Sequence, residues 1–263
     1  MSVGDGVSSD GLDFAIQVSM RAGACWGRDC ERIGPFLATF NRSDDNPFLN
    51  YAIPDSGTRP SSAEVKALVA AYRARDRRPR LEYIPALAPA VEPVLLTEGF
   101  SVEDRLPLMT CAAASQVQEV IVAGIELVGP ASEDEFRAVA SVQWEAYEEQ
   151  GDVPQRAVDA LRRTVEAGGS VVLARDVKTQ QPAGAGLCTA PHDGLTELSS
   201  VGVRRPFRRR GIAAMMASRL AREAFEKGAT GVFLMAHSEG EAARVYARTG
   251  FLSQSQVLHI SRS

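Results

Sequence analysis

The C-terminal half of the sequence alternates between short apolar strands and amphipathic helices, and this order restricts the possible folds most. Ser132 begins a capping-box spacing, which is typical of a helix start. Ile212, Met216 and Leu220 recur at i, i+4 and i+8, which predicts one apolar face of a helix over about 211–227. Further helices are predicted at 154–167 and 239–250, and strands at 124–129, 170–176, 183–190, 195–203, 230–237 and 251–261. This order predicts an α/β fold with a mixed sheet.

The N-terminal half partly repeats this order. Its predicted elements are a helix at 61–76, a strand at 80–84, a helix that ends near Glu98 and a strand at 101–111. Gly99 and Gly250 are each followed by phenylalanine, and aligning them gives an offset of 151 residues (250 minus 99). At this offset the helix and strand before Gly99 coincide with those before Gly250. We therefore predict two related domains, 1–115 and 120–263, joined within 112–120. The alternative is one domain with an unrelated N-terminal extension.

Composition excludes several classes of protein. The net charge of −4 argues against a nucleic-acid-binding protein, which needs a strongly positive face. No apolar run approaches the length of a membrane helix, and the first residues lack the pattern of a secretory signal. The four cysteines include no CxxC pair and there are three histidines, so we expect no metal site. We expect reduced thiols at Cys25, Cys30, Cys111 and Cys188, and a cytoplasmic location.

The segment 201–216 joins a predicted strand to a predicted helix through an arginine-rich loop that ends at Gly211. Unpaired N–H groups at a helix start, together with the helix dipole, form a site for phosphate oxygens. Because glycine has no Cβ, we expect Gly211 to let the backbone approach a ligand closely. Arg208, Arg209 and Arg210 add positive charge. A solvated surface cluster and a nucleic-acid contact are the alternatives for these arginines.

Two motifs in this half resemble one family. The segment Arg208-Arg209-Arg210-Gly211-Ile212-Ala213 resembles the Q/R-x-x-G-x-G/A signature of the GNAT superfamily of acyl-CoA-dependent N-acyltransferases. Residues 242–251, AARVYARTGF, resemble the closing A-x-x-L/V-Y-x-x-x-G-F segment of that family. The resemblance extends over roughly 122–263. It implies a mostly antiparallel sheet in which two parallel strands splay apart, and transfer of an acyl group, most often acetyl, to an amine.

The resemblance also implies which residues bind acetyl-CoA or another acyl-CoA. The backbone of Val201, Gly202 and Val203 would pair with the pantetheine arm like an added strand. The pyrophosphate would be held by the loop and helix start, formed by Arg208, Arg209, Arg210, Gly211, Ile212, Ala213 and Ala214. Glu239 is a departure, since many relatives carry asparagine there.

The chemistry requires an acid and a base. An amine like that of lysine has a pKa of about 10 and is mostly protonated at neutral pH, so a base must remove a proton. Tyr246 occupies the tyrosine position of the family and is the candidate acid for the departing thiolate. Glu197 matches a glutamate that serves as base in one branch of the family. Strand alternation predicts that Glu197, Ser199, Val201 and Val203 share one face. Alternatively, Tyr246 is only a packed aromatic ring and Glu197 only a surface carboxylate. Ser199 or Ser200 could then bind a relay water.

Other residues carry weaker expectations. Trp144, Glu145 and Tyr147 end a helix where relatives build acceptor sites, and could line a pocket for a cationic substrate, or simply pack. His192 lies in a predicted turn, where we expect exposure to solvent rather than catalysis.

The N-terminal half lacks the site residues of the other half. At the offset of 151, Pro60 replaces Gly211 and Leu95 replaces Tyr246, so we predict a degenerate GNAT-like copy that binds no cofactor. It could cover the acceptor side or form a domain or dimer interface.

The expected activity is N-acyl transfer to an amine of a small molecule or peptide, by a chain that could form a homodimer. A non-catalytic acyl-CoA sensor is the first alternative, and a nucleic-acid-binding protein the second.

Overall fold

The structure is a computed structural model that describes residues 9–236 and 241–263. The chain divides into two compact units. The first contains the described residues up to Leu108 together with Gln254–Ser263, and the second contains the described residues of Met109–Ser253. We expected all of 120–263 in one domain. The structure differs at residues 254–263, because the last strand of the chain pairs with a strand of the first unit.

The elements of the first part of the chain are α1 (Ser9–Cys25), β1 (Asp29–Ile33), β2 (Phe36–Phe40), β3 (Ala52–Pro54), α2 (Ser62–Arg73), β4 (Arg80–Tyr83), α3 (Val91–Thr97) and β5 (Ser101–Cys111). Those of the second part are β6 (Ile125–Val128), α4 (Glu133–Ala146), α5 (Gln155–Glu166), β7 (Ser170–Asp176), β8 (Pro182–Cys188), β9 (Leu195–Val203), α6 (Ile212–Glu226), β10 (Gly231–Met235), α7 (Glu241–Ala247) and β11 (Leu252–Ser261). Short 3₁₀ helices lie at Pro47–Leu49, Pro85–Leu87, Ala114–Gln116 and Arg205–Phe207. None of the helices in the described ranges has the length and apolar character needed to cross a membrane.

The strands of the first unit follow the order β1-β2-β3-β4-β11-β5. β3 and β4 are parallel and pair at Ala52 and Leu81, whereas β11 runs antiparallel to β4. No helix or strand was predicted before residue 61, where the structure has α1 and β1–β3. β1 is largely exposed and β3 has three residues, so neither has the strong apolar alternation by which strands are recognised.

The strands of the second unit follow the order β10-β9-β8-β7-β6. The pairs β6–β7, β7–β8 and β8–β9 are antiparallel, whereas β9 and β10 are parallel. α4 and α5 pack on one face of this sheet through a core that includes Val139, Leu161 and Leu173. α6 packs on the opposite face through Met216 and Leu220, among others. The helices and strands predicted for this half are all present, with small shifts at their ends.

One expectation about the cysteines is wrong. Cys25 and Cys30 form a disulfide, with 5.8 Å between their Cα atoms. α1 ends at Cys25 and the chain turns directly into β1, which brings the two cysteines within the usual span of a disulfide. Cys111 and Cys188 are free and buried.

Candidate active site

The central feature of the second unit is a gap that opens between β9 and β10. The two strands pair at Leu195–Gly231, Thr196–Val232 and Glu197–Phe233. β9 continues along β8 to Val203, whereas no further pairing with β10 occurs in the described residues. Beyond Glu197, one edge of β9 therefore lacks a strand partner there, and its backbone groups can pair with a ligand.

A β-bulge lies within this part of β9. Leu187 of β8 pairs with Ser199 and Ala185 pairs with Gly202, so β9 has one more residue than β8 over this stretch. Ser200 has φ of 54°, a left-handed conformation that is uncommon for serine. The extra residue reverses the alternation after Ser199.

The bulge corrects the predicted faces of β9. The register places Glu197, Ser199 and Gly202 on the face toward α4, and Val201 and Val203 pack in the core on the α6 side. The prediction that Val201 and Val203 share the face of Glu197 is therefore wrong, since it assumed a regular strand.

α4 packs closely on the bulge. A Cβ atom at Gly202 would lie 2.6 Å from the Cβ of Ala146, so any larger residue would push the helix away. The side chain of Gln143 donates a hydrogen bond to the carbonyl oxygen of Ser200 at 3.1 Å. Gln143 was not among the predicted site residues, because no local pattern in the sequence shows that a glutamine faces an irregular strand.

The loop after β9 leads to an open helix start. Gly211 precedes α6 with φ of 84° and ψ of 4°, and no side chain caps the helix there. As in the first turn of any helix, the N–H groups of Ile212, Ala213 and Ala214 have no hydrogen-bond acceptor within the helix. Within the protein, a Cβ at Gly211 would meet Val122 at 3.5 Å, an ordinary contact, so no clash with the chain itself requires glycine there. The left-handed φ favours glycine, and close approach of a ligand stays a prediction.

The three arginines of the loop are exposed. Arg208 donates from Nε to the carbonyl oxygen of Val203 at 3.0 Å, which ties the loop to the end of β9. Arg209 has a left-handed φ of 62°, and the guanidinium of Arg210 lies 5.6 Å from the centroid of the Phe207 ring. Positive charge and open N–H groups therefore coincide at one end of α6, as an anion site requires.

Tyr246, Tyr147 and Glu197 interact electrostatically in this unit. Desolvation, with a smaller effect of Tyr147, raises the pKa of Tyr246 above its ordinary value. Desolvation, followed by the charge of Glu197, raises the pKa of Tyr147, although 55% of that residue is exposed. Tyr246 also packs edge-on against Phe251, with 6.3 Å between ring centroids. The phenol of Tyr246 is therefore protonated at neutral pH, and its raised pKa also makes it a weaker proton donor than a free tyrosine.

The other predicted acceptor residues have contacts of their own. The indole N–H of Trp144 donates to the carbonyl oxygen of Gly151 at 3.0 Å. Glu145 forms an ion pair with Arg204, with 3.0 Å between Oε2 of Glu145 and Nε of Arg204. This ion pair was not predicted from the sequence. Tyr147 and Glu145 are both exposed, but the Glu145 carboxylate is already paired with Arg204.

Three more expectations concern single residues. Ser199 is half-buried beside the bulge. His192 lies in the turn before β9 and is partly exposed, 3.6 Å from Asp193. Glu239 lies outside the described residues. Across the described ranges, no cluster of three or more His, Cys, Asp or Glu residues could hold a metal ion.

Comparison with known proteins agrees with this geometry. Residues 136–251 match the family described as acetyltransferase (GNAT) family. Among solved structures, a GCN5-related N-acetyltransferase from Kribbella flavida is 25% identical, with a TM-score of 0.78 over 95% of each chain. A GCN5-related N-acetyltransferase from Sphaerobacter thermophilus is 17% identical, with a TM-score of 0.67 over 87% of this chain and 76% of that one.

A tandem GNAT protein from the clavulanic acid biosynthesis pathway, determined without AcCoA, is 15% identical, with a TM-score of 0.60. That match covers 86% of this chain and 77% of the other. Among curated proteins, none matches this chain. Residues 136–251 therefore form a domain that matches the GNAT family.

Proposed function

We propose that the protein transfers an acyl group, most often acetyl, from acyl-CoA to an amine. The observation that carries this proposal is the divergence of β10 from β9 after Glu197, in the same unit as the uncapped start of α6. A strand edge without a partner suits the amide groups of a pantetheine arm. The open helix start and the exposed arginines 208–210 suit its phosphates.

The candidate groups fit a direct transfer. Acyl-CoA supplies a thioester whose carbonyl carbon an amine nitrogen can attack, forming a C–N bond as the C–S bond breaks. Glu197 would take the proton that the amine must lose, directly or through a water held at Ser199. Tyr246 would donate its phenolic proton to the departing sulfur. General acid or base help of this kind contributes about 10²–10⁴-fold per group.

The acceptor is proposed to be a cationic amine of a small molecule or peptide. Tyr147 supports this, since its exposed ring interacts with the charge of Glu197 and an aromatic face attracts cations. Neither a membrane nor a nucleic acid is part of the proposal.

The test is release of the CoA thiol from acetyl-CoA in the presence of a panel of amines. We expect release that depends on the amine and falls in the Glu197→Gln and Tyr246→Phe variants. Tight binding of acetyl-CoA without release for any amine would favour the non-catalytic sensor. Absence of acetyl-CoA binding by calorimetry would refute both.

We further propose that the first unit is a degenerate copy of the second. Adding 151 to the bounds of α2, β4, α3 and β5 gives 213–224, 231–234, 242–248 and 252–262. These ranges lie within two residues of α6, β10, α7 and β11. The parallel pair of β3 and β4 corresponds to the parallel pair of β9 and β10.

The chain's own side chains occupy the equivalent gap in the first unit. Gln17 accepts a hydrogen bond from the backbone N–H of Ile84 at 2.9 Å and donates to the carbonyl oxygen of Pro54 at 3.4 Å. Arg21 donates to the carbonyl oxygens of Ile53 and Pro54 at 2.9 and 3.1 Å. Backbone groups that a pantetheine arm would need are therefore already bonded.

The helix start that corresponds to α6 is also closed. Ser61 and Glu64 form a complete capping box at the start of α2, directly after Pro60. We therefore expect one acetyl-CoA per chain in a calorimetric titration. A stoichiometry of two, or acetyl-CoA bound beside residues 55–62, would contradict this assignment.

A cytoplasmic location is part of the proposal, although the Cys25–Cys30 disulfide is of a kind uncommon in that compartment. Cell fractionation tests the location. Alkylation of the purified protein, with and without a reductant, would show by mass whether the disulfide forms.

A further inference from the structure

The peptide group between Ser200 and Val201 has an unusual environment. It lies in the bulge of β9, where neither Ser200 nor Val201 has a register partner on β8. Ser200 has the left-handed φ of 54°, a conformation that a serine keeps only when its surroundings hold it. The carbonyl oxygen of Ser200 accepts the side-chain N–H of Gln143 at 3.1 Å.

A trans peptide group is planar, with its N–H directed opposite to its C=O. The chain contains no cis peptide bond among the described residues. Because the Ser200 carbonyl points to Gln143 on α4, the N–H of Val201 points away from α4. Val201 belongs to the part of β9 that extends past its last pairing with β10 at Glu197 and Phe233.

Gln143 is itself well placed to hold this peptide. It lies in the last turns of α4, one turn before Ala146, whose Cβ packs directly against Gly202. The helix is fixed at its other end by the capping box of Ser132 and Glu135. The amide therefore reaches the bulge from a rigid element, so losing it would release the peptide without removing the helix.

We propose that Gln143 is a positioning residue of the acyl-CoA site, which holds the bulge of β9 in the conformation that binds the pantetheine arm. This inference rests on the proposed function. Without the amide donor, the Ser200 carbonyl loses its partner and the left-handed residue can relax toward ordinary strand geometry. The backbone donors and acceptors of 198–203 would then no longer face the arm in a fixed register.

The test uses two probes in calorimetric titrations of the full chain. Acetyl-CoA contains both the phosphates and the pantetheine arm, whereas adenosine 3′,5′-diphosphate lacks the arm. For Gln143→Leu we expect the Kd of acetyl-CoA to rise about tenfold, the size expected when a part-buried acceptor is left without its donor. The Kd of adenosine 3′,5′-diphosphate should change less than about twofold, since the loop and α6 are untouched.

Two further variants keep the test decisive. Gln143→Glu preserves the length of the side chain but replaces the N–H donor by an acceptor, so it should weaken acetyl-CoA binding as Gln143→Leu does. Ser218→Ala is the matched control, because Ser218 also donates a side-chain hydrogen bond to a backbone carbonyl, that of Gln118 at 2.7 Å, away from the bulge. It should leave both Kd values unchanged.

The outcomes separate this inference from the proposed function. If the wild-type chain binds no acetyl-CoA, the proposed function fails. If the wild-type chain binds it and both Gln143 variants bind it equally well, Gln143 has no positioning role. An equal loss of both probes would likewise overturn the inference, since it would indicate general damage rather than a displaced strand edge.

Discussion

Gly211 offers a quantitative test of the cofactor loop. Its φ of 84° lies in the left-handed region, and the space around its missing side chain is open apart from Val122 at 3.5 Å. A substitution therefore acts through backbone strain rather than through a clash. For an L-residue this strain costs about 1–2 kcal/mol. It is larger for a β-branched residue, which rarely adopts a positive φ.

The free loop can escape this strain by rearranging, whereas binding of the pyrophosphate requires the original conformation. The strain then appears in the affinity. For Gly211→Ala, about 1–2 kcal/mol corresponds to about a 5- to 30-fold rise in the Kd of acetyl-CoA. Gly211→Val should cause a larger rise, and Gly211→Asn a smaller one, because asparagine tolerates this region.

Gly228 provides the control at the other end of α6. Its φ is 92° and nothing lies within 4 Å of the position of a Cβ, so Gly228→Val introduces comparable strain far from the loop. It should lower the unfolding temperature without changing the Kd of acetyl-CoA in a calorimetric titration. If Gly211→Val binds acetyl-CoA as the wild type does, or if Gly228→Val weakens binding equally, backbone strain at Gly211 does not control the affinity for acetyl-CoA.

Three further perturbations test the acid, the base and the first unit. Tyr246→Phe keeps the ring but removes the proton donor, so kcat should fall by about 10²-fold or more while the Kd of acetyl-CoA stays nearly unchanged; an unaffected kcat would mean that the ring only packs. Glu197→Gln should lower the rate most at neutral pH and recover at high pH, where the amine loses its own proton; an equal loss at every pH would place the base elsewhere. Desolvation, opposed by the charge of Glu82, lowers the pKa of His259 in the folded state below its ordinary 6.5. Below about pH 6.5 the unfolded chain therefore binds a proton that the folded chain does not, and the free energy of unfolding falls as the pH falls. The urea midpoint of the first unit should therefore fall between pH 7 and pH 5, and His259→Gln should reduce that fall; the same decrease in the variant would assign it to other groups, such as Glu103.

Several features of the candidate site were predictable because short-range rules govern them. The periodic apolar residues of α6 and the glycine before it predicted a helix start after a strand, and the structure has one. The capping-box spacing at Ser132 predicted the start of α4, where both capping hydrogen bonds are present. These signals involve residues a few positions apart, so tertiary contacts do not alter them.

The faces of β9 were decided differently. Alternation predicts one face for Glu197 and Val201, but the extra residue near Ser200 separates them. A bulge depends on what packs beside the strand, here Gln143 and Ala146 of α4, which lie more than fifty residues earlier in the chain. No local pattern in the sequence contains that information.

By itself, the sequence determined the order of elements in the C-terminal half, the loop and helix start at Gly211, and the resemblance of this half to the GNAT family, because helix caps, apolar periods and glycine positions act over a few residues. Only the tertiary structure decided that β11 pairs with β4 of the first unit, that Cys25 and Cys30 form a disulfide, and that Glu145 forms an ion pair with Arg204. Each of these depends on which segments meet in space. Strand pairing and side-chain contacts are selected by the burial and hydrogen bonding of the whole unit, which distant residues supply.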